Sequence, residues 1–482
     1  LGVCFGPVVT SLSPLSSMRG RFSWARTGFH EFSHVIHLGL SHNRCPRWIT
    51  EGLATWEEVH RNPAWTRNMR LDLLDARAND QLIPVRELNR AFRGPRILFG
   101  YYQGGLLCEM LIGQHGFAPM VRLLEAFDRG ADLDQAMESV FQTTPEALDR
   151  DFERFVDGRL AGLQCEPSHD PDRTRRMALG LSEEAPSEPA ALRAWVHDWL
   201  TVAYTQYQQK NLVDAAEALR RATSAGIPTD RECFLRAALA VDRGDLDEAE
   251  SQWRAGYALG GREYRSLVAM GVYLLNTDRQ EEALQWLQDA EASFPGFPEP
   301  ALSSELLQAR LLERMDRKAE AMAAKERWLA FNPGDYDRHL EVARWHLSMD
   351  RPGVACDWFR RANEVDPFRR DLHLDWAQAL EADGQAEKAL GELGVALVVP
   401  PELDLDHQAQ GADREGAPEG IPLTGHERAE IHYRRARLCE VLGRSGEIRH
   451  HLGEALLCEP THQASLDWLA TLPVPDPQAA PE

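Results

Sequence analysis

From about Ala191 to Leu472 apolar positions recur at helical spacing, interrupted by short polar turns that are each followed by a small residue opening the next amphipathic segment. The segments KNLVDAA, RGDLDEAE and TDRQEEAL place Ala215, Ala249 and Ala283 at intervals of 34 residues. MDRKAEAM, MDRPGVAC and DGQAEKAL place Ala321, Ala355 and Ala389, after one step of 38 and then two of 34. LGRSGEIR supplies a seventh turn at Ile448, 59 residues after its predecessor. Each period predicts a helical hairpin that cannot bury its apolar face alone, so neighbouring hairpins must supply one another's core.

The 34-residue period, the small residue after each turn and the terminal pairs Asn332-Pro333 and Asp366-Pro367 together resemble the tetratricopeptide repeat family. That resemblance implies an α-solenoid with a groove for a protein or peptide partner. Trp253, Trp286, Trp328 and Trp358 fall in second helices, where packing between hairpins accounts for them. Two polar stretches break the order. Residues 163–190, rich in Pro, Ser and charge, are expected to form a linker with at most one short helix, and residues 398–424 a polar insertion within the repeats at 191–472. The tail at 473–482 is expected to be disordered.

The N-terminal third has a different pattern. Val3 to Val9 is apolar and predicts a strand, possible as an edge strand for an extended peptide. The run TGFHEFSHVIHLGL has helical periodicity and contains His30-Glu31-Phe32-Ser33-His34. Histidines four apart lie one turn apart on one helix face and can reach one zinc ion, while Glu31 can address a water on that ion. The residue six after His34 is Leu40, which excludes the metzincin arrangement. Downstream, PRWITEGLATWEE predicts a second helix opened by Pro46, with Glu51 seventeen residues after His34. A helix, a turn and an antiparallel helix would return that carboxylate to the histidine pair.

His30, Glu31, His34, Trp48, Glu51, Gly52, Leu53 and Ala54 together resemble the gluzincin peptidases, and within them small peptidase-MA-like domains with an HExxH…WxxEGLA pattern. The likeness extends through LIPVRELNRAF, GYYQGGLLCEML and MESVFQTTPEALDRDFERFV, so it covers roughly residues 20–160. The resemblance implies that His30, His34 and Glu51 ligate Zn2+, that Glu31 is the general base, and that Tyr101, or else Tyr102, donates to the oxyanion. The element that binds a free amino terminus in aminopeptidase relatives is missing from residues 1–29. His37 is read as a packed or supporting group, and Glu57 or Glu58 as either a partner for a ligand's free ring nitrogen or part of an exposed face.

Charge sharpens this division. Residues 1–160 carry 18 arginines and 19 acidic residues, a balance of −1, so −21 of the net −22 belongs to the rest of the chain. Such acidity disfavours nucleic acid and leaves a basic protein or peptide as a partner. The eight cysteines show no paired spacing and are read as free thiols. No apolar run of 18 residues occurs, so no membrane span is expected, and the opening segment makes a poor signal peptide; the compartment stays unknown. Leu at position 1 suggests a fragment or a processed product. The expected fold is mainly α: a small α+β gluzincin-like catalytic domain at 1–162 followed by the solenoid. The expected function is that of a zinc metallopeptidase whose repeats recruit a protein substrate or partner. The alternative is a repeat scaffold for protein–protein interaction with a non-catalytic metal-binding domain.

Overall fold

The computed structural model describes residues 2–11, 23–399 and 422–473. Most of the expected insertion at 398–424 and of the expected tail at 473–482 lies outside them. Among the described residues, no helix is long and apolar enough to cross a membrane.

The apolar N-terminus turns at Gly6, where φ is +65°, and so forms two strands, β1 (Gly2–Phe5) and β2 (Val8–Ser11), rather than one. They make a two-stranded sheet. From there to residue 162 the described chain is helical: α1 (Trp24–Ser41), α2 (Arg47–Arg61), α3 (Arg70–Ala78), α4 (Leu88–Ala91), α5 (Ile97–His115), α6 (Ala118–Asp128), α7 (Leu133–Phe141) and α8 (Pro145–Leu160). The expected α+β catalytic domain is corrected accordingly: the hairpin is its only β structure among the described residues.

The core of this region centres on α2 against α5. Trp48, Ile49 and Leu53 meet Leu106, Leu107 and Leu111 there, all nearly or fully buried. Glycine sets the approach: a Cβ on Gly52 would sit 2.5 Å from the Gly104 carbonyl oxygen, and one on Gly105 would sit 2.8 Å from the Thr55 methyl. Only side chains without a Cβ allow the two backbones to touch in this way. The backbone N–H of Trp48 donates to Asn89 Oδ1 at 2.9 Å, which anchors the start of α2.

The stretch expected as a linker holds one helix, α9 (Pro171–Gly180), opened by Asp170, whose side chain accepts from two backbone N–H groups. Its leading residues are tied down by hydrogen bonds. The Gln164 N–H donates to the Ser293 carbonyl at 3.0 Å, and the Tyr264 N–H donates to the Gln164 carbonyl at 2.7 Å. Glu166, partly buried, pairs with Arg231 at 2.5 Å and His169 at 3.1 Å. Polar and charged residues that read as a solvated tether in sequence are thus satisfied by specific partners.

Helical hairpins follow. α10 (Pro189–Gln208) pairs with α11 (Leu212–Thr223), α12 (Asp230–Arg243) with α13 (Leu246–Ala258), α14 (Tyr264–Asn276) with α15 (Gln280–Ser293), and α16 (Ser304–Arg314) with α17 (Lys318–Phe331). Then come α18 (Tyr336–Ser348) with α19 (Pro352–Val365), α20 (Arg370–Ala382) with α21 (Ala386–Val398), α22 (Gly425–Val441) with α23 (Ser445–Cys458), and a last helix, α24 (Gln463–Thr471).

The periodicity has a local cause at each turn. Lys210, Gly244, Asp278, Asp316, Asp350, Gly384 and Gly443 all have φ between +55° and +80°, the first six each five residues before the small residue of its hairpin and Gly443 five before Ile448. A left-handed residue closes the first helix, and the chain reverses into the second. Ala215, Ala249, Ala283, Ala321, Ala355 and Ala389 are then 0% exposed, where a larger side chain would push the two helices apart. The single 38-residue step also resolves. The chain after α15 places Phe294 and Phe297 in the core, with Phe297 stacked on Tyr264 at 4.3 Å between ring centroids, before a 3-10 turn at Pro300–Leu302.

The described residues divide into two compact units, one of residues 4–9 and 29–333, the other of residues 2–3, 10–11, 23–28, 334–399 and 422–473. The first holds the helices up to α17 and buries one core under α2 and α5 and others among the hairpins. In it Asn68 donates to the Gly296 carbonyl at 2.6 Å, and Arg70 bonds the Pro295 carbonyl, joining the N-terminal helices to the third hairpin. The second holds α18 to α24, with a core built on Leu380, Leu393, Ile431 and Leu452.

Candidate metal centre

Two helices build the site. The four-residue spacing on α1 stacks His30 over His34, with ring centroids 4.7 Å apart. α2 returns antiparallel after the tight passage through His42 and Asn43, both of positive φ, and presents Glu51 to the pair. Glu51 Oε2 lies 3.1 Å from His30 Nε2 and 3.0 Å from His34 Nε2, and the two Nε2 atoms are 3.1 Å apart. Donor atoms of these three residues all fall within 4.8 Å of one another.

This triangle suits a small divalent ion. Zinc binds histidine nitrogen and carboxylate oxygen at about 2.0–2.1 Å, which in a tetrahedron sets neighbouring donor atoms about 3.3 Å apart. The observed spacing is close to that without any rearrangement of the backbone. Two imidazole Nε2 atoms this near each other cannot both carry protons directed at one another, and Glu51 Oε2 lies within hydrogen-bond distance of both.

The supporting residues complete the arrangement. His30 Nδ1 meets Glu58 Oε1 at 2.6 Å, and Arg67 reaches the same oxygen at 3.2 Å. Arg47 donates through Nε to the outer oxygen of Glu51 at 2.9 Å and approaches Tyr101 Oη at 3.4 Å. Burial opposes a charge on His30, but the hydrogen bonds its ring donates to Glu51 and Glu58 outweigh it and raise its pKa to about 9. Burial likewise works against an ionised Glu51, yet His30 and His34 hold it well below the usual carboxylate range. The metal-free pocket therefore already favours a carboxylate facing positive charge.

His37 stands aside, 3.4 Å from Glu57, and is not part of the triangle. Tyr101 lies beside His30, with centroids 5.9 Å apart, and Arg67 sits over its ring at 5.1 Å. Tyr102 points the other way, into a cavity of about 380 Å3 lined also by Trp56, Arg67, Glu109 and Arg159. None of Glu31, His30, His34, Glu51 or Tyr101 lines that cavity. Sequence reasoning left Glu58 undecided and missed Arg47 and Arg67. Glu58 could have been found from its place seven residues after Glu51, two turns along the same face.

No family model matches the chain, and no curated protein matches it. Solved structures do. YrrB, described as a TPR protein with an unusual peptide-binding site, is 14% identical at a TM-score of 0.29, covering 43% of this chain and 93% of its own. The C-terminal part of a TPR repeat-containing protein from Cytophaga hutchinsonii is 14% identical at 0.30, covering 56% and 99%. PilW, a type IV pilus biogenesis factor, is 18% identical at 0.26, covering 41% and 90%.

The expectation of a zinc metallopeptidase is corrected on these findings: the neighbours are repeat proteins rather than peptidases. His30, Glu31 and His34 are each 7% exposed and Glu51 is 6% exposed. The roles of general base for Glu31 and oxyanion donor for Tyr101 belong to that expectation. The helical hairpin array remains.

Proposed function

We propose that this chain is a helical-repeat scaffold that binds a protein or peptide partner, and that His30, His34 and Glu51 hold a zinc ion which fastens α1 to α2 without turnover. The observation that carries the scaffold reading is the run of hairpins from α10 to α23. Every one has a left-handed turn residue, followed five positions later by a buried alanine in the first six and by buried Ile448 in the last. Such repetition builds extended surface from identical parts and gives none of them a reactive cleft.

The partner's chemistry follows from charge. With −21 of the net charge beyond residue 160, the repeats favour a cationic segment rich in Lys or Arg. The metal reading is supported by the donor triangle, by the Glu58 contact to His30 and by the burial of all three ligands. Bound there, the ion supplies a cross-link between two helices. Glu58 and Arg67 fix the ring of His30, and Arg47 fixes the carboxylate of Glu51.

Fluorescence anisotropy of labelled peptides of equal length, lysine-rich, neutral and glutamate-rich, tests the reading on the zinc-loaded full chain. The lysine-rich peptide binds, and its affinity falls as salt is raised. Failure of all three to bind, or preference for the acidic peptide, contradicts the assignment.

A further inference from the structure

The last hairpin contains a second constellation of metal-ligand type, in the unit that does not hold His30. Cys439 lies near the end of α22, and Glu447 and His451 lie one turn apart on α23. Their donor atoms fall within 4.8 Å of one another, and Cys439 Sγ is 3.9 Å from Glu447 Oε2. The hairpin geometry explains the meeting. A four-residue spacing sets Glu447 and His451 on one face of α23, and the antiparallel α22 delivers Cys439 to that face.

The burial is graded. Cys439 is 0% exposed and His451 4%, whereas the Glu447 side chain is 51% exposed and rests 3.8 Å from Arg444 Nε. The imidazole also carries an unexplained cost. Its Nδ1 is buried with no hydrogen-bond partner, a deficit that a native protein seldom leaves uncompensated. Its neighbours are His432 and His450, with ring centroids at 5.9 and 5.1 Å.

We propose that Cys439, Glu447 and His451 form a second, thiolate-containing site for a zinc-like divalent cation, clamping the α22–α23 hairpin at its turn. One sulfur, one imidazole nitrogen and one carboxylate oxygen are a mixed donor set that suits zinc, with the fourth position left to water on the exposed Glu447 side. On binding, the Cys439 thiol loses its proton to solvent, and thiolate and carboxylate together balance the two positive charges of the ion. The site is independent of the His30 centre: it lies on other helices and contains sulfur where that centre has none.

Sulfur makes the test selective. The full-length protein, stripped of metal, is titrated with Co2+ and followed by absorption. The wild type develops a thiolate-to-cobalt charge-transfer band in the near ultraviolet. Cys439→Ser loses that band while its far-ultraviolet circular dichroism and urea midpoint match the wild type, which shows the chain is folded. Glu447 is exposed, so Glu447→Gln tests the site without disturbing the core. It weakens cobalt binding there by at least the roughly tenfold that loss of a mere supporting partner costs. No charge-transfer band in the wild type, a band unchanged in Cys439→Ser, or cobalt affinity unchanged in Glu447→Gln overturns the proposal.

Discussion

His30 Nδ1 and Glu58 Oε1 are 2.6 Å apart, so the face of the imidazole turned away from His34 is held by a carboxylate two helical turns beyond Glu51. A carboxylate on the far nitrogen fixes the tautomer that leaves Nε2 free to ligate. Glu58→Ala is therefore expected to lower zinc affinity by about 10- to 100-fold. Competition against a chromogenic chelator measures this, and an affinity equal to wild type would mean that Glu58 does not orient the ring.

Gly52 stands where α2 meets α5, with no room for a Cβ beside the Gly104 carbonyl. Gly52→Ala forces the helices apart directly below the metal centre. The expected loss is about 1–3 kcal/mol, the usual cost of overpacking, read from urea unfolding. Gly113, on the open side of α5 with nothing near it, is the control: Gly113→Ala leaves stability unchanged or raises it.

Phe297 stacks on Tyr264 in the insertion that lengthens one repeat step to 38 residues. It is fully buried, so Phe297→Ala removes a ring from a closed core. A destabilisation of about 3–5 kcal/mol is expected in calorimetry or urea unfolding. A change below 1 kcal/mol, within what exposed sites show, would mean that the extra residues do not belong to the core.

Glu166 gives the chain a defined acid sensitivity. Burial alone would raise its pKa, but His169 and Arg231 outweigh that and hold it below its ordinary value of 4.5. Because the folded value is depressed, the ionised pair's contribution is complete above pH 4.5 and is lost as pH falls through the folded pKa. The stability gap between wild type and Glu166→Gln, measured by urea unfolding, is expected to stay constant from pH 7 to about 5 and to close below that range. A gap independent of pH down to the acid transition would contradict the pairing.

Much of this was legible because the repeat signal is local. A turn residue five before a buried alanine fixes helix end, chain reversal and close packing within a few positions, so the hairpins could be counted from Ala215 to Ile448. His30, His34 and Glu51 were legible for a similar reason, since helical spacing alone puts two of them together and one turn brings back the third. What escaped reading depends on contacts distant in sequence. Gly52 belonged to a motif, but the reason for it is Gly104, on another helix. Glu166 looked like part of a charged tether until Arg231 was found against it, 65 residues away. Cys439 looked solitary because its companions sit beyond a turn, at a spacing no common metal motif uses. The enzymatic expectation failed at a different level. Ligand spacing says what an ion can be held by and says nothing about what the rest of the chain does with it.

The most direct test of the scaffold account is to incubate the zinc-loaded chain with a diverse peptide library and identify, by mass spectrometry, what is retained and what is cut. The account predicts that cationic peptides are retained at full length and that no new termini appear. New termini that form with the wild-type protein and vanish with Glu31→Gln would contradict it.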